Sequence, residues 1–295
     1  MIDGKRQGQE ITLNLNTPQG PYLHQHVTTD DGSPTLASTN AEGVTETMHH
    51  RGGALSETLY IYGPAITLAV SRPVARVMSL GLGLGYNEIL AAALCPEECS
   101  LRMITFEMDP SLTESFLAWI HGSETSRHRA AYEWIENQLL TQHRPQSGAQ
   151  SGNQPDAQRA DFLSTLSASR PRERLRTWLR NGQFEVRGRF PEALATERFH
   201  AFLYDAFSRK MSDNLWSEFF LTQLLNRHAE ADALFATYAA TGDLRRALKK
   251  NQFEVIARKG FAGKKESLLG ARGVFRDLGL ARELALSPVL NESST

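Results

Sequence analysis

Residues 74–87 read VARVMSLGLGLGYN, an apolar run that ends in glycines at 81, 83 and 85. Seven residues with so little polar interruption suit a strand covered on both faces. Glycines at alternate positions let the chain turn sharply and bring backbone N–H groups close to a ligand. A helix is expected to follow from NEILAAAL at 87–94. The dinucleotide fingerprint G-x-G-x-x-G would need its third glycine where Tyr86 stands. The spacing therefore favours a single nucleoside over a dinucleotide, although a strand–helix turn that binds nothing could share it.

Outward from this turn, strands alternate with helices, as in a parallel sheet covered on both faces. Further strands are expected at 101–106 (LRMITF), 184–186, 199–204 (FHAFLY), 233–238 (ALFATY), 253–257 and 267–269. Helices are expected from Asp109-Pro110, which places proline at the first helical position, around 130–140, and over 162–179 with a break at Pro171. Two more are expected at 213–227, capped by Asp213, and at 243–250. The stretch QHRPQSGAQSGNQPDAQ at 142–158 has too few apolar residues for a core and reads as a flexible loop. Short runs at 11–15, 35–37 and 58–62 (TLYIY) look like strands separated by turns. The expected organisation is a small β extension over 1–72 and an α/β domain over 73–295, with a helical and flexible insertion at about 120–182.

Composition narrows the function classes. Hydrophobic residues make up 41%, and no apolar run approaches the ~20 residues of a membrane span. The first residues lack the apolar core of a signal peptide, so a cytoplasmic protein is expected. Two cysteines, Cys95 and Cys99, supply neither a disulfide framework nor a zinc site and read as ordinary thiols. His49-His50 lacks a third ligand at a recognisable spacing, so no metal is expected and the pair reads as solvated. The net charge of −1 gives no global attraction to nucleic acid. Basic runs at 170–180, 245–250 and 258–272 read by default as solvated faces, yet three in the second half favour a polyanionic partner.

Two acidic residues complete the chemistry. Glu107 ends the strand in ITFEMDP, where a carboxylate can accept both ribose hydroxyls of a nucleoside lying across the strand ends. Asp205 follows FHAFLY, at another strand end, and points to the ligand or its reaction partner, with capping of the next turn as its plain alternative.

These motifs together resemble the MnmC-type tRNA methyltransferases. The resemblance rests on ALSETLYIY with Glu57, GLGYN with Gly83, Gly85 and Asn87, FEMDP with Glu107 and Met108, and YDAFSRKMSDNLW with Asp205, Phe207 and Trp216. A late RKGFAGKKESLLGA, with Lys259, Phe261, Lys264 and Lys265, is its most specific part. Ala206 stands where the family has glycine, Ser208-Arg209 replaces Ala-Pro, and GRF at 188–190 lies where an acidic residue often meets the adenine amine.

The resemblance implies a class I, Rossmann-like seven-stranded sheet and S-adenosyl-L-methionine as cofactor. It implies methylation of an aminomethyl group on a modified wobble uridine of tRNA. Glu57, Gly81, Gly83, Gly85, Asn87, Glu107, Met108 and Asp205 would hold the cofactor, and Asp205 would be catalytic. Phe207, Trp216, Lys259, Phe261, Lys264 and Lys265 would meet the tRNA, with the lysines on its phosphates. It further implies a methyltransferase without a fused FAD-dependent oxidase, served by a separate oxidase or another upstream wobble-modification enzyme. Two other readings stay open: a polyamine aminopropyltransferase, which would need a second carboxylate soon after Asp205, and a non-catalytic RNA-binding protein on a methyltransferase fold.

Overall fold

The structure, a computed structural model, describes residues 22–142, 170–207 and 213–277. The expected strand at 11–15, the loop at 143–158 and the helical start at 162–169 lie outside the described residues.

A three-stranded antiparallel sheet comes first: β1 (Leu23–Thr28), β2 (Pro34–Thr39) and β3 (Thr45–Thr47). The main sheet contains β4 (Val74–Leu80), β5 (Ser100–Phe106), β6 (Phe184–Arg187), β7 (Phe199–Tyr204), β8 (Ala229–Thr237), β9 (Glu254–Lys259) and β10 (Glu266–Arg272). All seven strands expected after residue 73 are present, in the order β6-β5-β4-β7-β8-β10-β9. Neighbours from β6 to β8 are parallel, while β10 runs antiparallel to both β8 and β9. The chain steps from β4 outward to β5 and β6, then returns to place β7 on the other side of β4. Strand order thus reverses between β4 and β7, which leaves a crevice beyond their carboxyl ends.

Nine helices are described: α1 (Ala54–Ile61), α2 (Gly63–Val70), α3 (Tyr86–Leu94), α4 (Pro110–His121), α5 (Arg129–Gln142), α6 (Pro171–Arg180), α7 (Glu218–His228), α8 (Gly242–Lys250) and α9 (Val274–Asp277). Alternation along the strands supplies both faces of the sheet. Ala75, Val77, Ala201 and Leu203 pack with the cores of α1 to α6, whereas Met78, Leu80, Phe202 and Tyr204 pack with α7 and α8. At the start of α4 the Asp109 carboxylate accepts the Ser111 N–H at 2.8 Å and Pro110 takes the first turn, so the expected start signal operates as read.

Two expectations change. Residues 58–62 are helical, inside α1 and its end, because α1 is buried on nearly every side and its apolar residues show no helical period. Thr58 returns its hydroxyl to the Ala54 carbonyl at 2.9 Å, which lets a β-branched residue fit the helix. Asp213 opens only a 3-10 turn (Asp213–Trp216), and Ser217 caps α7 by accepting the Phe220 N–H at 3.3 Å. The break arises because Trp216 turns inward, donating its indole N–H to the Phe207 carbonyl at 2.8 Å.

Much of the basic charge is engaged within the fold. Arg174 donates to the Ala92 carbonyl at 3.1 Å and Arg176 to that of Ile120 at 2.8 Å, closing the carboxyl ends of α3 and α4. Arg245 pairs with Glu266 at 2.7 Å, and Lys250 with Glu218. Cys95 and Cys99 are buried free thiols. Among the described residues no helix is long and apolar enough to cross a membrane.

Candidate active site

The crevice at the reversal point holds a cavity of about 500 Å³, within the usual range for a small-molecule site. Its floor is the turn after β4 and the end of β7. Gly81 has φ +89°, and a Cβ there would lie 2.6 Å from the Asp205 carbonyl oxygen, so only glycine admits this approach. The Asp205 N–H donates to the Leu80 carbonyl at 3.1 Å, locking the two strand ends together. Gly85 opens α3 with φ +67°, and a Cβ there would lie 2.3 Å from the buried Phe116 ring.

Glu107 is buried at the end of β5 and faces this turn. One carboxylate oxygen accepts the N–H groups of Leu82 at 3.0 Å and Gly83 at 3.2 Å, and the other accepts that of Asp109 at 2.8 Å. Burial pushes its carboxyl up from the ordinary value, and those three N–H groups oppose the shift. A carboxylate has about four acceptor sites, so Glu107 can hold the turn and still receive a ligand hydroxyl.

Asp205 lies at the cavity floor. Burial raises its carboxyl to about 7; the facing Tyr62 hydroxyl pulls it down, the Glu57 charge pushes it up, Lys264 lowers it and Glu88 raises it. The buried Asn87 Oδ1 has no hydrogen-bond partner, and the Tyr62 hydroxyl has none beyond the Asp205 carboxyl that it faces. Both line the cavity. Buried polar atoms without partners inside a cavity are what a polar ligand would satisfy.

Of the residues expected to hold a cofactor, Glu57, Gly81, Gly83, Asn87, Glu107, Met108 and Asp205 line the cavity, and Gly85 stands behind it at the start of α3. Phe207 also lines it, stacked on Tyr22 with ring centroids 5.8 Å apart. Trp216 is 1% exposed and supports Phe207 from behind. Phe261 is buried against His50 and Tyr60, away from the cavity surface. Lys259 and Lys265 are exposed, whereas Lys264 reaches the cavity and pairs with the buried Glu57 at 2.9 Å.

The structure adds residues that the sequence did not single out. Met48, Tyr62, Arg189, Phe190 and Tyr238 all line the cavity. Tyr62 was hidden in the segment whose alternation resembled a strand, while Arg189 and Phe190 occupy the GRF departure. His49 and His50 are wall residues rather than a solvated pair. Thr35 Oγ1 lies 2.9 Å from His49 Nδ1, burial pushes His49 down to about 4, and His50 Nδ1 accepts the Gly52 N–H at 3.0 Å. No metal-binding cluster of three or more His, Cys, Asp or Glu occurs among the described residues.

The arrangement fits a nucleoside sulfonium with an amino-acid tail. Glu107 can meet a ribose hydroxyl, the carboxylates of Glu57 and Asp205 suit positive charge, and Met108 and Phe190 offer apolar surface to a base.

Comparisons with known proteins agree. Residues 173–273 match the family model described as S-adenosyl-L-methionine-dependent methyltransferase. The chain is 28% identical over 263 residues to the "tRNA 5-methylaminomethyl-2-thiouridine biosynthesis bifunctional protein MnmC" of Aromatoleum aromaticum, covering 85% of this chain and 35% of that protein. The protein of the same name from Azoarcus sp. is 42% identical over 73 residues, 25% of this chain and 11% of that one. The chain therefore spans about a third or less of the length of these relatives. Among solved structures, MnmC2 from Aquifex aeolicus superposes with a TM-score of 0.52 at 18% identity, covering 94% of this chain and 81% of that one, a likeness of fold. Over residues 173–273 the chain is thus similar to the S-adenosyl-L-methionine-dependent methyltransferases, and over 263 residues to an MnmC protein.

Proposed function

We propose that the protein methylates the aminomethyl nitrogen of a modified wobble uridine in tRNA. The observation that supports this most is Asp205, a carboxyl raised to about 7 at the cavity floor beside the glycine turn. A carboxyl in that range can hold an amine by hydrogen bond and take its proton near neutral pH. The acceptor chemistry is taken from the likeness to the MnmC relatives, named for 5-methylaminomethyl-2-thiouridine biosynthesis in tRNA.

When bound, S-adenosyl-L-methionine supplies an electrophilic methyl carbon on a sulfonium. The chain's residues bind and orient. Glu107 would fix the ribose, Gly81 and Gly83 would let the backbone come close, and Asp205 would hold the acceptor nitrogen and accept its proton, the N–C bond forming as the S–CH3 bond breaks and the thioether S-adenosyl-L-homocysteine leaves. Such positioning can supply roughly 7–11 kcal/mol of a barrier. Phe207, steadied by Trp216 and stacked on Tyr22, offers an aromatic face to the uridine. The exposed Lys259 and Lys265 suit tRNA phosphates, and their contribution should weaken as salt rises. A separate FAD-dependent oxidase or another upstream modification enzyme would supply the amine.

The test is methyl transfer in vitro with purified protein, S-adenosyl-L-methionine and tRNA carrying 5-aminomethyluridine or its 2-thio form, followed by nucleoside mass spectrometry. The expected result is conversion to the methylaminomethyl nucleoside. Methylation at an unrelated nucleoside, or none in a protein that binds the cofactor, would overturn the acceptor assignment.

A further inference from the structure

The basic stretch at 258–265 looks from its sequence like a surface for polyanions, but the structure builds it around one inward lysine. Arg258 donates to the Tyr60 carbonyl at 2.6 Å and its guanidinium lies 4.2 Å from the Tyr60 ring centroid. The Tyr60 hydroxyl donates in turn to the Lys259 carbonyl at 2.7 Å. These contacts strap the end of β9 to α1, the helix that carries Glu57.

The loop beyond is held tightly. A Cβ on Gly260 would lie 2.2 Å from the Lys264 carbonyl oxygen, and one on Gly52 would lie 2.8 Å from the Ala262 Cβ. Ala262 itself adopts φ +46°, a conformation that costs a non-glycine residue of order 1–3 kcal/mol and persists only where its surroundings impose it. The outcome is the placement of the Lys264 ammonium: 2.9 Å from Glu57 Oε1 and 5.0 Å from the Tyr238 ring centroid. The other Glu57 oxygen accepts the His50 N–H at 2.6 Å, and the Tyr238 hydroxyl donates to the carbonyl of Ala206, next to Asp205, at 2.8 Å.

We propose that Lys264 is a positioning residue of the cavity: it compensates the Glu57 carboxylate and so leaves Asp205 as the group that exchanges a proton with the acceptor amine. The inference rests on the methyltransferase reading for its consequence, though not for its electrostatics. The groups facing Asp205 are Tyr62 at the end of α1, Glu57 on α1, Glu88 on α3, Lys264 on the loop after β9 and Tyr238 after β8, a neutral hydroxyl that burial and the Asp205 charge push up. Around Glu57 stand Lys264, His49 and the His50 N–H. Of these neighbours only Lys264 carries positive charge near neutral pH, since burial lowers His49 to about 4. Without the ammonium, the Glu57 charge would act on Asp205 with no cation among these neighbours, and like charges that share a site drive a proton onto one of them.

The direct readout is the titration of the Asp205 carboxyl by 13C NMR in the intact protein, assigned by loss of its signal in Asp205→Asn. In Lys264→Met the midpoint should rise by about one unit or more, and Lys264→Arg should restore it. Methyl transfer by Lys264→Met should be about tenfold lower at neutral pH and recover as pH rises past the new midpoint, which structural damage would not do. Its tRNA affinity should keep the wild-type salt slope, whereas loss of a phosphate contact lowers that slope by about one. Lys264→Gln serves if the Met variant fails to fold. An unmoved Asp205 midpoint, or a reduced salt slope, overturns the proposal. A wild-type protein that neither binds S-adenosyl-L-methionine nor methylates tRNA overturns the function instead, and the NMR shift separates the two.

Discussion

Asp205→Asn should lower methyl transfer by roughly 10²–10⁴-fold, the usual contribution of a positioned proton acceptor. Asparagine keeps the shape at the cavity floor but cannot take a proton from the amine. The pH dependence makes the assignment specific. With the carboxyl raised to about 7 in the free protein, activity should fall as pH drops through that value, because only the ionised form accepts a proton. Asp205→Asn should show no such limb. Stability should move the opposite way. A carboxyl whose folded value is raised from 3.8 to about 7 favours folding below the unfolded value, and that contribution is lost as pH rises through about 7. The variant should therefore lose less stability than the wild type between pH 4 and 8 in denaturant titrations. Near-wild-type transfer rates in Asp205→Asn would contradict the role.

Gly85→Ala should be the most damaging change in the glycine turn. The residue has φ +67°, which costs an L-residue about 1–2 kcal/mol, and its new Cβ would enter the Phe116 ring at 2.3 Å. Phe116 is fully buried among Trp119, Tyr132 and Phe184, so it cannot swing aside. Overpacking in such a core adds about 1–3 kcal/mol. Thermal unfolding should show a drop of several degrees, and cofactor binding should weaken with it because α3 would shift against the turn. An unchanged melting temperature would mean that the turn and helix adjust more freely than this packing allows.

How much of this was legible in the sequence differs between regions. The parallel strands read clearly because each is an apolar run bounded by a turn signal, and β4 and β7 fall on the expected residues. Glu107 and Asp205 were readable for the same reason, as acids directly after such strands. The α1 region was not. Helix burial on nearly all sides erases the 3.6-residue period, so Tyr62, facing Asp205, stayed hidden inside an apparent strand. Lys264 was visible as a basic residue, yet its inward direction depends on Gly52, Gly260 and Ala262 meeting across about 200 residues of chain, which local pattern cannot show. The arginines on α6 illustrate the converse. Arg174 and Arg176 read by default as a solvated face in the sequence, and in the fold they close the carboxyl ends of other helices.

Isothermal titration of S-adenosyl-L-methionine into the protein tests the central claim, that the cavity beyond β4 and β7 is the cofactor site. One site per chain is predicted, with affinity at least about tenfold weaker in Glu107→Gln, since a hydrogen bond to a charged group is worth about 1.5–3 kcal/mol. Binding should be unchanged in Lys259→Ala, which lies on the exposed end of β9. Absence of binding by the wild type, or equal affinity in Glu107→Gln, would contradict the account.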